Sequence, residues 1–213
     1  ARDQQYADPS APQRLIAVDV ANPDAPTRLG FDPTQTNPRA LAAVPGAMLG
    51  TNSSDLLLVV GGGAVPGGEV AAKLEIYDVS VCTRRTPPLP NSPPLPNCLA
   101  GSFLGARLLS SVPNAVLPDV PPEWGIPSQV AAVNQKGPSP QVIAYVATAG
   151  IGLQAASVTG VLDGSNTDLG LVRGDFLDVA VLKNSLVVSI EDGPTENDTG
   201  LSLFTPQLVR RAA

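Results

Sequence analysis

The stretch LIAVDVANPDAPTRLG, residues 15–30, decides how the rest of the chain reads. Its first half, Leu15-Ile16-Ala17-Val18-Asp19-Val20, is an apolar strand-like run closed by Asp-Val. Asn22-Pro23 and Pro26 then form a stiff link, because proline fixes φ, and the short run Thr27-Arg28-Leu29-Gly30-Phe31 follows. The same order returns downstream as Leu74-Glu75-Ile76-Tyr77-Asp78-Val79-Ser80, more weakly over 153–158, and again at Leu201-Ser202-Leu203-Phe204-Thr205. Each later copy is preceded by an apolar run, at 56–60, 142–147 and 186–190, and ahead of these stand short segments at 40–44, 129–133 and 178–181. A further short strand follows the pattern at 27–31, 98–105 and 168–172. The unit is four short strands in meander order, in which alternate side chains share a face.

Four-stranded units that repeat with loop insertions between them read as propeller blades. A β-sandwich would also supply many short strands, but it gives no reason for one strand pattern to return in one order. The predicted fold is therefore all-β, a β-propeller-like stack of four-stranded antiparallel blades. The predicted division is an N-terminal extension (1–13), a partial blade (14–39), a blade with a proline-rich insertion (40–105), an inter-blade loop (106–128), a blade (129–173) and a partial blade (174–213), all in one domain. About two complete blades flanked by two partial ones are too few to close, since propellers need four or more. An incomplete ring is expected, its missing blades coming from a longer chain or a partner subunit, because soluble proteins avoid long unpaired edges.

Residues 15–30 resemble the LVIVD-type repeat of bacterial surface β-propellers: Asp19-Val20, Asn22-Pro23, Pro26 and Leu29-Gly30 match its pattern. LEIYDVS at 74–80 and AYVATAGIGLQ at 144–154 match in part. The last copy departs, since Leu201-Ser202-Leu203-Phe204 leads to Thr205-Pro206 without the Asp; in the second, Ser80 is followed by the insertion in place of the Asn-Pro turn. The resemblance implies a bacterial surface protein.

Composition agrees with many short strands. The 213 residues include 23 prolines and 20 glycines, too many for long helices. Charged residues make up only 15%, against roughly 25% in ordinary soluble domains, and 43% of residues are hydrophobic, which argues against disorder. A net charge of −6 disfavours a nucleic-acid partner, and Arg84-Arg85 and Arg210-Arg211 are too short for a phosphate track. The uncharged stretch 137–162 is broken by Pro138, Pro140, Gly150, Gly152 and Gly160, so two strands joined at Gly150-Ile151-Gly152 are expected there, not a membrane span. The chain opens on Ala1 in a polar stretch, as a processed product or a segment of a longer polypeptide would.

Cys82 and Cys98 bracket the proline-rich loop 86–96. A disulfide closing a loop of that length is worth about 3 kcal/mol and implies an oxidising compartment; two buried free thiols are the alternative. Zinc is disfavoured, because two thiols without histidine leave the metal short of ligands. The absence of histidine also removes Ser-His-Asp and Cys-His chemistry. The acidic groups Glu191-Asp192 and Glu196 with Asp198 read as a solvated turn. Gly61-Gly62-Gly63 to Gly68 reads as a flexible blade loop, since Glu69-Val70 stands where a phosphate loop needs Lys-Ser/Thr. Asn52-Ser53-Ser54 and Asn197-Asp198-Thr199 fit the glycosylation pattern and read as turns in a bacterial protein.

Calcium is the ligand the sequence best suggests. Asp163, Asn166 and Asp168 place hard oxygens at near-alternate positions, although Asp163-Gly164 also suits an ordinary hairpin turn. Trp124, between prolines, is a contact anchor or a cover over a blade edge. The expected function is a non-catalytic, extracytoplasmic propeller segment of a larger surface or envelope protein, acting in protein–protein assembly or adhesion. The alternative is a hydrolase, lyase or oxidoreductase with its active site in the central channel on blades not present here. The segments expected to line that channel, 40–44, 129–133 and 178–181, are mostly Ala and Val, which leans towards a scaffold.

Overall fold

A run in which every residue is apolar satisfies a strand only if both faces of its sheet are covered. The computed structural model of the protein supplies that cover by stacking sheets. It describes residues 14–33, 37–65, 69–84, 97–113, 127–136, 140–165, 168–183, 186–192 and 199–208. Among these residues there are four antiparallel sheets, each a meander in chain order. The first pairs β1 (Arg14–Asp19) with β2 (Thr27–Pro33). The second runs β3 (Asn37–Leu49), β4 (Asn52–Val65), β5 (Glu69–Asp78) and β6 (Phe103–Pro113). The third runs β7 (Pro127–Gln135), β8 (Gln141–Thr148), β9 (Gly152–Ser157) and β10 (Asp168–Val172). The fourth runs β11 (Asp175–Leu182), β12 (Leu186–Asp192) and β13 (Gly200–Phe204). The chain is thus all-β, a blade-like stack of four-stranded antiparallel sheets with shorter first and last sheets, and among the described residues no sheet closes into a barrel.

Alternate residues of one strand serve two different cores. Leu56, Leu58 and Val60 on β4 meet Val142, Ala144 and Val146 on β8 between the second and third sheets. Val59 faces the other way with Tyr77, against Leu15 of the first sheet. Ile143, Tyr145 and Ala147 of β8 pack with Phe176, Val187 and Phe204 of the fourth. The first strands of successive sheets lie side by side, β3 against β7 and β7 against β11. The Asn134 side-chain amide donates to the Pro45 and Gly46 carbonyls, at 3.0 and 3.2 Å, tying β7 to β3.

The structure refines several expected boundaries. The turn at Gly150-Ile151-Gly152 joins β8 to β9, and Gly152 (φ 141°) passes so near Val172 that a Cβ would lie 2.1 Å from its carbonyl oxygen. The last strand of the second sheet begins at Phe103, not Cys98, and extends to Pro113 into the segment read as an inter-blade loop. Residues 98–101 form a turn. Gly61, Gly62 and Gly63 are not loop: they belong to β4 and pair with β5, and Gly61 and Gly62 pair with β3 as well, so the strand stays extended without side chains. Between β9 and β10 the chain makes a short helix, α2 (Val158–Asp163), where the pattern suggested strand through Val158. Ser157 caps it by accepting the Gly160 N–H, and left-handed Gly164 ends it.

The first sheet is held to the second by a side chain that imitates a strand. Asn97 accepts the Phe31 N–H at 2.9 Å and donates to the Phe31 carbonyl at 2.6 Å, while the Cys98 N–H reaches the Leu29 carbonyl at 3.3 Å. Gly30 allows this approach, since a Cβ there would sit 2.2 Å from Asn97 Oδ1. Gly30→Ala and Asn97→Ala are each expected to destabilise the protein by about 1–3 kcal/mol in urea titration. The double variant should lose less than the sum, since both changes break one joint.

Candidate functional site

The first and fourth sheets each carry an apolar face directed away from the neighbouring sheet. On β1, Leu15 points into the core while Ile16, Val18 and, just beyond the strand, Val20 point away, and Val20 is 67% exposed. Phe31 stands opposite Ile16 and is exposed with it; Arg28 stands opposite Val18, its guanidinium 4.6 Å over the Phe31 ring. At the other end, Val187 and Phe204 face inward, so their neighbours Val188 and Leu203 lie on the outer face with Ile190, Leu201, Ala180 and Leu182. Leu201 is 73% exposed and Leu182 53%. The cross-strand pairs on that face are Leu203–Val188–Ala180 and Leu201–Ile190–Asp178. Both end sheets carry apolar residues on both faces, and among the described residues another sheet packs on one face of each.

Cys82 and Cys98 form a disulfide with Cα atoms 5.1 Å apart across a sequence separation of 16. Cys82 lies in α1 (Ser80–Thr83), which a polar cluster holds against the second sheet. Asp55 accepts the Gly46 N–H at 2.9 Å and the Thr83 hydroxyl, and the Asp55 N–H donates to the Ser80 hydroxyl at 2.7 Å. Asp78 accepts the Ser80 N–H at 2.9 Å and the Ser54 hydroxyl at 3.0 Å, and Arg84 donates to the Ser53 carbonyl at 3.0 Å. The Thr83 and Gly46 bonds, aided by Arg84, hold Asp55 below its ordinary carboxylate range. For Asp78, burial acts in the opposite direction and is outweighed by the Ser80 and Ser54 bonds, so its pKa is lowered too.

Other residues singled out from the sequence are separate from this cluster. Asp163 ends α2, exposed, and accepts the Ser165 N–H at 2.8 Å, a bond that lowers its pKa. Asp168 opens β10 and accepts the Gly170 N–H at 3.2 Å. Asn166, Trp124, Glu196, Asp198 and the loop 86–96 lie outside the described residues. Among the described residues, no group of three or more His, Cys, Asp or Glu side chains is placed to hold a metal, and no helix is long and apolar enough to cross a membrane. Glu191 accepts the Ser202 hydroxyl at 2.7 Å within the fourth sheet.

Two features escaped the sequence reading. Glu75 is fully buried on β5, where Tyr77 donates its hydroxyl to Oε2 at 2.7 Å while Oε1 has no hydrogen-bond partner. Burial first, and the Glu75 carboxylate second, push the Tyr77 phenol well above its ordinary value. The outward set Ile16, Val18, Val20 was written in the alternation of residues 15–20, but only the packing of Leu15 and Tyr77 shows which alternate face is covered.

Lowered carboxylate pKa values fix a sign for acid stability. Asp55 and Asp78 contribute stability that is complete above the unfolded value near 3.8 and is lost as pH falls through their lower folded values. The urea midpoint should therefore fall between about pH 4 and about pH 2, and fall less in Asp78→Asn. Reducing the Cys82–Cys98 bond should cost about 3 kcal/mol at neutral pH, read from urea titrations with and without a phosphine reductant. Compared with known proteins, the chain matches no family model and no curated protein.

Proposed function

We propose that this chain is a non-catalytic, extracytoplasmic β-propeller segment of a larger surface or envelope protein, acting in protein–protein assembly or adhesion through its end sheets. The observation that carries the reading is the second apolar face of each end sheet, with Ile16, Val18, Val20 and Phe31 at one end and Leu182 and Leu201 at the other. Isolated exposed leucines are ordinary on soluble proteins, whereas a contiguous apolar face marks a place where another surface docks. The disulfide favours an oxidising compartment, and residues 15–30 carry the LVIVD-type resemblance that points to a bacterial surface.

The composition of the strands expected to line a central channel supports a scaffold over an enzyme. The only charged residues on β3, β7 and β11 are Arg39, Asp175 and Asp178. Ala40, Ala42, Val44, Val130 and Ala132 from β3 and β7 fill the space between the second and third sheets.

A photo-crosslinking amino acid at position 18 or 201 of the intact protein, in the envelope of the cells that make it, tests the reading. Both sites should give covalent adducts to protein, while the same group at exposed Ala100 should give far fewer. If neither end face yields an adduct, the assembly reading is wrong.

A further inference from the structure

Among the described residues, the covered sheet faces are covered mainly by other sheets. The first sheet packs on the second, the second on the third and the third on the fourth, with Val158, Val161 and Leu162 of α2 joining the second contact and Cys98 and Leu99 of the turn joining the first. Among the described residues, no other sheet packs on the outer face of the first sheet or that of the fourth, and both have this same apolar composition, so a sheet of this same type suits either one. They differ in charge. Among its apolar neighbours the first carries Arg28, opposite Val18, and the fourth carries exposed Asp178, opposite Ile190.

We propose that the outer face of the first sheet in one copy of this chain packs on the outer face of the fourth sheet in a second copy, head to tail, with Arg28 of one copy facing Asp178 of the other. This rests on the reading of the end faces as protein-binding surfaces and adds the partner. Like-face pairing would bring Arg28 towards Arg28, or Asp178 towards Asp178, inside an apolar contact, where an uncompensated charge is costly. Unlike faces bring opposite charges together. A head-to-tail contact is heterologous, so it either closes or continues.

Sedimentation velocity on the full chain, from about 1 to about 100 μM, tests the arrangement. The wild-type chain should self-associate with rising concentration. Val18→Lys blocks the first face and Leu201→Lys the fourth, so each variant alone should be monomeric. Mixed together, they should form a heterodimer, because the Leu201→Lys copy keeps its first face and the Val18→Lys copy keeps its fourth. Like-face pairing gives the opposite result: each variant alone would still dimerise through its intact face, and that outcome overturns the proposal. Arg28→Asp or Asp178→Arg should weaken association about tenfold or more, and the two changes in one chain should restore it to within about threefold.

A wild-type chain that stays monomeric throughout also overturns the proposal. Fluorescence of an apolar dye then separates the two levels of inference. Dye binding that Val18→Lys and Leu201→Lys abolish leaves the end faces available to a different protein. No dye binding at all removes the assembly reading as well.

Discussion

Burial of both faces of a sheet is the constraint on which this structure depends. The runs 56–60 and 142–147 have no polar side to turn to water, so β4 and β8 are stable only between two other sheets. That requirement forces a stack, and a stack of meanders places the first strands of neighbouring sheets together at one edge. The same apolar pattern continues into the end sheets, on which, among the described residues, another sheet packs from one side.

The fold was legible in the sequence where a local pattern and its packing agree. The order of runs around 15–20, 74–80 and 201–205 located the strands, and Gly150 and Gly152 located the turn between β8 and β9. It was less legible where one residue type suits two structures. Val158-Thr159-Gly160-Val161-Leu162-Asp163 is too short to display helical periodicity, and its helix is set by a cap at Ser157. Cys98-Leu99 looks like the start of a strand, but both are buried in a turn that docks on β2.

The candidate site was legible only in half. Alternation separates Ile16, Val18 and Val20 from Leu15 and Ala17, yet both sets are apolar, so sequence alone assigns neither to solvent. Glu75 shows the converse: a charged residue in mid-strand ordinarily marks a wet face, but Glu75 is fully buried, and the Tyr77 hydroxyl supplies its polar contact. Polar groups in this protein do their work at joints. Asn97 borrows the backbone of Phe31, Asn134 holds the β3 bulge at Pro45-Gly46, and Asp55 and Asp78 seat the helix that bears Cys82.

The meander has a consequence for how such a chain can change over generations. Among the described residues, each sheet takes its strands from one continuous segment and packs on the sheet before or after it. Architectures of this kind behave as one-dimensional arrays, with stability set by each unit and its nearest-neighbour interfaces. Inserting or deleting a whole meander therefore leaves every remaining interface of the same kind as before. Gene duplication can lengthen this protein in steps of one sheet, while an insertion within a strand would misalign two cores at once.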